Sequence, residues 1–184
     1  MVIRKYQPKD FENMRKICFE TSSGFDSDDG RKALYAMYCD YYVLEEPDTC
    51  FVAANDNDEA IGYVICAPDQ ERYNKIFHEK YDPIVKQASF SRWLMHRLGG
   101  MLGKKVSKLY PAHLHIDILP EGQRQGLGHR LIDALIADLK QKGVKGVHLV
   151  CGAGNEKGVN FYRKYGFKEY SNAFGSVTFV MDIN

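Results

Sequence analysis

Apolar positions along this chain recur with two different periods, and the period changes from segment to segment. "VIRKYQ" alternates and reads as a short strand. After Pro8 and Lys9, with Asp10 as N-cap, Phe11, Met14, Ile17 and Cys18 follow helical spacing. "SSGFDSDDG" is a polar loop. Leu34, Met37, Tyr38, Tyr41 and Leu44 make a second amphipathic helix, which Pro47 and Asp48 end. "CFVAAN" and "IGYVICAP", either side of "DNDEA", read as a β-hairpin. From Asp69 to Lys108 the pattern is helical, with Ile84, Ala88, Leu94, Leu98 and Met101 on one face and Trp93 beside it. "LYPAHLHIDIL" returns to a strand. Gly126 to Lys142 is a helix with Leu127, Leu131, Leu135 and Leu139 on one stripe. "GVHLVCG" is a buried strand, "NEKGVNFYRKYG" a short helix, and "FKEY" and "SVTFVMDI" the last two strands. Strands that alternate with helices in the second half argue for a layered α/β fold with some parallel pairing. The 184 residues suit one domain, with residues 69–108 as a helical insert before the fourth strand.

Composition narrows the function classes. Hydrophobic residues make up 45% of the chain, and the formal net charge is only +1. So small a balance argues against coating nucleic acid or an anionic membrane. No apolar run approaches the ~20 residues that a membrane span needs. The start, "MVIRKYQPKD", lacks the apolar core of a signal peptide. Cys18, Cys39, Cys50, Cys66 and Cys151 are scattered without CxxC spacing, which suits reduced packing residues of a cytoplasmic protein.

The chemistry concentrates in "HLHIDILPEGQRQGLGHRLI", where a strand gives way to a helix through three glycines. Such a junction exposes backbone N–H groups, and three anion-binding patterns compete for it. A P-loop needs GxxxxGK[ST], and no Lys-Ser or Lys-Thr follows a glycine here. A dinucleotide fingerprint needs GxGxxG; Gly126 and Gly128 are present, but Leu131 holds the third place and no acid ends the next strand. The pattern that fits is Q-x-x-G-x-G, at Gln123, Gly126 and Gly128. Loop and first-turn N–H groups would converge there on a pyrophosphate at the positive helix end, with Arg124 and His129 able to add charge. An ordinary glycine-rich turn is the competing explanation for the glycines alone.

A second motif separates the two. "LPEGQRQGLGHRLI" resembles motif A of the GNAT (Gcn5-related N-acetyltransferase) superfamily, with Ile118, Pro120, Gln123, Gly126 and Gly128 in its places. Downstream, "NEKGVNFYRKYGF" is similar to that superfamily's N-x-x-A-x-x-[LF]-Y-x-x-x-G-F. Asn155, Phe161, Tyr162, Gly166 and Phe167 match, while Gly158 replaces the alanine. The element order also fits, which implies a mixed sheet of about seven strands flanked by helices. "LHIDILP" with the large insert further resembles the acetyltransferase-like domain of O-GlcNAcase and its free-standing bacterial relatives.

The resemblance implies acetyl-CoA as cosubstrate and direct transfer to a primary amine, on a small molecule or a protein. A non-catalytic acyl-CoA-binding or interaction domain of the same fold is the alternative. Pantetheine would lie where "HLHIDIL" and "GVHLVCG" splay apart, bonded by main-chain groups of Ile118 and Leu119. The N–H groups of Gln123, Arg124, Gln125, Gly126, Leu127, Gly128 and His129 would hold the pyrophosphate. Asn155 and Asn160 would line the pantetheine arm, and Tyr162 would protonate the leaving thiolate.

The general base stays open. On an undistorted strand His113, His115 and Asp117 share one face, though a bulge here would break that parity. Asp117 suits a base acting through water, His115 has the better intrinsic pKa, and a site without a dedicated base is the third option. The same triplet could ligate zinc or iron, but acetyl transfer from a thioester needs no metal, and none is expected. Cys151 reads as core. For the acceptor, "CDYYVLEEPD", "YNKIFHEKYD" and "DSDDG" are rich in Tyr and carboxylate, whereas residues 69–108 hold nine Lys or Arg against four acids. These cues disagree and name no substrate. The chain could be a monomer or a homodimer, with "SVTFVMDI" as an edge strand available for pairing.

Overall fold

In a computed structural model of the protein, described for residues 1–183 with the side chain of Leu102 excepted, seven strands form one mixed sheet. They are β1 (Val2–Lys5), β2 (Phe51–Ala54), β3 (Ala60–Ala67), β4 (Ala112–Ile118), β5 (Gly146–Gly152), β6 (Lys168–Ala173) and β7 (Ser176–Asp182), in the order β1-β2-β3-β4-β5-β7-β6. Every neighbouring pair is antiparallel except β4–β5. β6 is therefore an edge, and β7 is not. The expectation of a free edge at "SVTFVMDI" fails because β7 is paired on both sides, with β5 and with β6.

One face of the sheet carries α1 (Phe11–Glu20), α2 (Asp28–Tyr35) and α3 (Tyr41–Glu45). Asp10 precedes α1, but its carboxylate does not cap the helix. It is buried and takes Arg4 on both oxygens (2.7 and 2.9 Å), so an ion pair displaces the expected N-cap role. A π-helical stretch, Ala36–Asp40, joins α2 to α3. Its wider turn rotates the face that follows. Tyr41 and Tyr42 both enter the core, and Leu44, expected on the apolar stripe, is exposed.

The insert is helical, as its period predicts: α4 (Gln70–Ile76), a π-helical stretch Phe77–Tyr81, α5 (Asp82–Ala88) and α6 (Phe90–Leu109). Its orientation is not as predicted. Ile84, Leu94, Leu98 and Met101 face outward, 42–64% exposed. The inward face of α6 uses Trp93, His96 and Val106 instead.

The opposite face of the sheet carries α7 (Leu127–Gln141) and α8 (Glu156–Tyr165). Here the stripe Leu127, Leu131, Leu135 and Leu139 is wholly buried against the strands. Burying a leucine side chain fully is worth about 2 kcal/mol, so this helix anchors its half of the sheet. All five cysteines are buried and free. Among the described residues no helix is long and apolar enough to cross a membrane.

Candidate functional site

The site begins with a mismatch between two strands. β4 pairs with β3 without interruption from Gly62–Ile118 to Ala67–His113. β5 pairs with β7 along its whole length. Between themselves β4 and β5 pair only at Ala112–Val147 and His113–His148. Beyond His113 each strand follows its other neighbour, and a wedge opens between them. Leu119 N–H donates to Ile61 O at 2.9 Å, which sets the parity of the ladder. Asp117, His115 and His113 turn their main-chain groups to β3, and Ile116 and Ile118 turn theirs to the wedge. Unpaired strand groups of this kind need partners, and amides of an extended ligand can supply them. The two residues expected to bond pantetheine therefore divide. Ile118 faces the wedge, whereas Leu119 spends its N–H on Ile61 and its carbonyl on Gly122 N–H (2.9 Å).

The glycine loop closes the wide end. Pro120–Gly122 form a single 3-10 turn. Gln123 Nε2 donates to Ile118 O at 3.1 Å and Gln125 Nε2 to Glu121 O at 2.6 Å, which folds the loop onto the end of β4. Arg124 (φ 62°) and Gly126 (φ 73°) are left-handed. The first bond inside α7 runs from Arg130 N–H to Gly126 O (3.2 Å). The N–H groups of Leu127, Gly128 and His129 then point out of the helix N-terminus, where an anion is favoured. The two motif glycines differ. A Cβ on Gly126 would meet nothing within 4 Å, so this position opens outward. A Cβ on Gly128 would lie 3.0 Å from the Phe161 ring, so that glycine admits α8 against α7 rather than a ligand. His129 is drawn the same way, edge-on to Phe161 at 5.2 Å.

α8 flanks the wedge. Asn155 caps it, accepting from Gly158 N–H at 3.0 Å. Gly158 stands where the motif has alanine because Asn155 Nδ2 and Cys151 Sγ would sit 2.8 and 3.0 Å from an added Cβ. Tyr162 is half-buried, with Phe161, Phe167 and Phe179 rings 5.3–5.7 Å away. Burial, and then Cys151 and Asp117, raise its phenol above the ordinary range, so it stays protonated. Asn160 lies elsewhere. It is exposed on the outward side of α8 and lines a shallow pocket with Glu156, Arg163 and Asn172.

Across β4 lies the other half of the site. The uninterrupted β3–β4 register keeps His113, His115 and Asp117 on one face, so no bulge breaks their parity. Tyr63 O–H, fully buried on β3, donates to Asp117 Oδ2 at 2.6 Å. Burial raises the Asp117 carboxyl, and the Tyr63 hydrogen bond opposes that rise. Burial lowers His115 to about 4, with His96 and His148 adding to the effect. His113 Nε2 bonds the Tyr42 hydroxyl at 2.8 Å, and burial lowers its imidazole as well. Four of the six histidines thus gather among Tyr42, Tyr73 and Tyr38 as neutral, aromatic-packed rings. With His113 committed to Tyr42 and Asp117 to Tyr63, the triplet is poorly placed for a metal. Among the described residues no cluster of three or more His, Cys, Asp or Glu could hold one.

Beside Asp117 a cleft of about 460 Å³ opens among Thr21, Ser22, Ser23, Phe25, Tyr38 and His115, and Gly152 of β5 reaches it. The split strand pair thus has the α7 N-terminus and protonated Tyr162 on the α7–α8 side, and the cleft with the partly buried Asp117 carboxylate on the other. Residues 10–167 match the model of the acetyltransferase (GNAT) family. The chain belongs to that family. An uncharacterized N-acetyltransferase of Methanocaldococcus jannaschii is 21% identical over 168 residues, 91% of this chain. The chain spans 60% of that relative's length. Among solved structures, SsHAT superposes with a TM-score of 0.88 at 27% identity, covering 100% of this chain and 98% of that one. The NatC complex bound to Gag peptide and CoA shares the fold, with a TM-score of 0.66 at 12% identity over 100% of this chain and 98% of that one.

Family motifs mark the glycine loop and α8, and the residues that sequence reading missed lie on the other side of β4. Tyr63 meets Asp117 only because β3 and β4 pair across the whole insert. Thr21, Ser22, Ser23 and Phe25 belong to a loop that carries no motif. The one available signal was alternation on "IGYVICAP", which puts Tyr63 two residues from Ile65 on a single face.

Proposed function

We propose that the protein is an acetyl-CoA-dependent N-acetyltransferase that transfers the acetyl group directly to a primary amine. The observation that carries this reading is the wedge between β4 and β5, with Tyr162 on one side and Asp117 on the other. Acetyl-CoA would lie with its pyrophosphate at the N–H groups of Leu127, Gly128 and His129. Its pantetheine would run along Ile118 and Ile116, past Asn155.

Each side chain then has one task. An alkylammonium has a pKa of ~10 and must lose a proton before attack. Asp117, whose carboxyl is raised by burial toward a better base, takes that proton directly or through one water. Tyr63 holds the carboxylate in place and keeps its pKa from rising further. His115, pushed down to about 4, is neutral at pH 7 and can orient the amine, whereas Asp117 is held at a fixed angle by Tyr63. The neutral amine attacks the thioester carbonyl, the C–S bond breaks as Tyr162 gives its proton to the departing thiolate, and the proton shed by the new amide nitrogen returns through water to the phenolate. This ranks Asp117 above His115, a choice the residue pattern alone left open.

The finer resemblance to the acetyltransferase-like domain of O-GlcNAcase and its free-standing relatives is part of the proposal, and the end-to-end match to SsHAT supports it. The test is turnover, read as CoA release from the full chain with an amine panel. Asp117→Asn is expected to lower kcat by about 100-fold or more, within the range of general-base removal, while leaving acetyl-CoA affinity intact. Tyr162→Phe should likewise lower kcat without weakening acetyl-CoA. Wild-type rates in both variants would remove these residues from the mechanism.

A further inference from the structure

Six of the nine acids in the acidic tracts are occupied by other partners in the fold, Asp82 by Arg97 among them, and exposed Asp26, Asp48 and Glu79 lie outside the lining of the cleft. Asp40 takes Arg15 on both oxygens, at 2.9 and 2.8 Å. Glu45 holds Lys80 at 2.9 Å. Glu46 pairs with Arg72 and accepts from Tyr41. Asp28 and Asp29 pair with Arg31 and Lys32 on the surface of α2. What lines the cleft is different in kind. Thr21 and Ser22 donate their O–H groups to the Ile17 and Cys18 carbonyls (2.7 and 2.6 Å) and keep lone pairs to accept, Ser23 offers a hydroxyl, Phe25, Leu34 and Tyr38 offer apolar and aromatic surface, and Asp117 is its single carboxylate.

We infer that the acceptor is a small monoamine, whose one positive charge is the group to be acetylated, on a neutral body of aromatic or apolar surface with hydroxyls. This rests on the acetyltransferase reading and narrows it. A second ammonium would leave water for a wall without a second carboxylate, and desolvating an unpaired charge is costly. A carboxylate on the body would meet Asp117 with no cation among the lining residues. A cleft of about 460 Å³ also falls within the range of small-molecule sites.

The insert shapes this selectivity. Arg92, on the first turn of α6, donates to Gly24 O at 2.5 Å and lies 4.0 Å from the Phe25 ring centroid. It braces the Ser22–Phe25 loop as the cleft's outer wall. Tyr38 stands edge-on to His115 at 5.4 Å and fixes the inner wall. Arg92 is thus a positioning residue for Phe25.

The experiment measures kcat/KM for CoA release by the full chain at saturating acetyl-CoA, with phenethylamine, spermidine, glutamate and the tripeptide Ser-Ala-Ala. Acetyl-CoA binding is measured on the same samples by calorimetry. Phenethylamine is expected to lead the other amines by about tenfold or more, the scale a shaped pocket reaches. Ser23→Asp should shift preference toward spermidine. Arg92→Ala should raise KM for phenethylamine severalfold with the acetyl-CoA KM unchanged, and Arg92→Lys should recover part of the loss. Acetyl-CoA binding with spermidine, glutamate or the peptide preferred, or with no amine turned over, overturns the inference while leaving the cofactor site standing. Absence of acetyl-CoA binding overturns both.

Discussion

α6 and α7 carry apolar residues at the same helical spacing, yet one stripe is buried and the other faces out. Leu127, Leu131, Leu135 and Leu139 are at most 2% exposed. Leu94, Leu98 and Met101 are 42–64% exposed. α7 is docked by its leucines onto the flat side of β1–β4. α6 has no such apolar bed and is held by polar and aromatic fastenings. His96 reaches the Tyr73 hydroxyl at 3.4 Å, Arg97 reaches buried Asp82 at 3.1 Å, and Arg92 grips the Ser22–Phe25 loop. Period reveals a helix, but only the neighbouring surface decides which side is inside.

The contrast can be broken in several ways. The largest effect of a single substitution is expected in α7, where Leu131→Ala should cost about 3 kcal/mol in chemical denaturation, as buried leucine truncations do. A loss below ~1 kcal/mol would mean that α7 is not the anchor. Acid should act through the cluster that includes His96 of α6. His115 has a folded pKa of about 4 against ~6.5 when unfolded. The unfolded chain therefore binds more protons between these values, and stability falls as pH drops from ~6.5 through 4. At 1.36 kcal/mol per unit this one group accounts for about 3 kcal/mol by pH 4. His113, His148 and His96 are lowered by burial as well and act with the same sign. Thermal melts that rise on acidification would contradict the neutral cluster. Arg97→Ala is next, at about 1–2 kcal/mol, because buried Asp82 would lose a partner while its Oδ1 already has none. The smallest effect is expected for Leu98→Ala, within about 0.5 kcal/mol despite its place on the apolar stripe. A loss near that of Leu131→Ala would show Leu98 buried in solution.

The same lesson explains how much of the molecule was legible beforehand. Apolar patterning located all seven strands, and the glycine loop with "NEKGVNFYRKYGF" marked the motif-bearing side, because those features are local in the chain. The remainder depends on long-range pairing. Tyr63 reaches Asp117 across 54 residues. β7 lies inside the sheet because β6 returns outside it. Asn160 shares the short helix with Tyr162 but faces outward, since residues two apart on a helix point in different directions. The acidic tracts read as an acceptor lure until most of their acids are seen in ion pairs.

The central claim is that acetyl-CoA occupies the β4–β5 wedge with its pyrophosphate at the start of α7. A calorimetric titration of wild type and Gly126→Glu tests it most directly. Gly126 opens outward with φ 73°, so the substituted carboxylate would stand where the phosphates belong. Stoichiometric binding by wild type, abolished in a Gly126→Glu protein that still melts cooperatively, is the predicted result. No binding by wild type, or equal binding by both, would contradict the account.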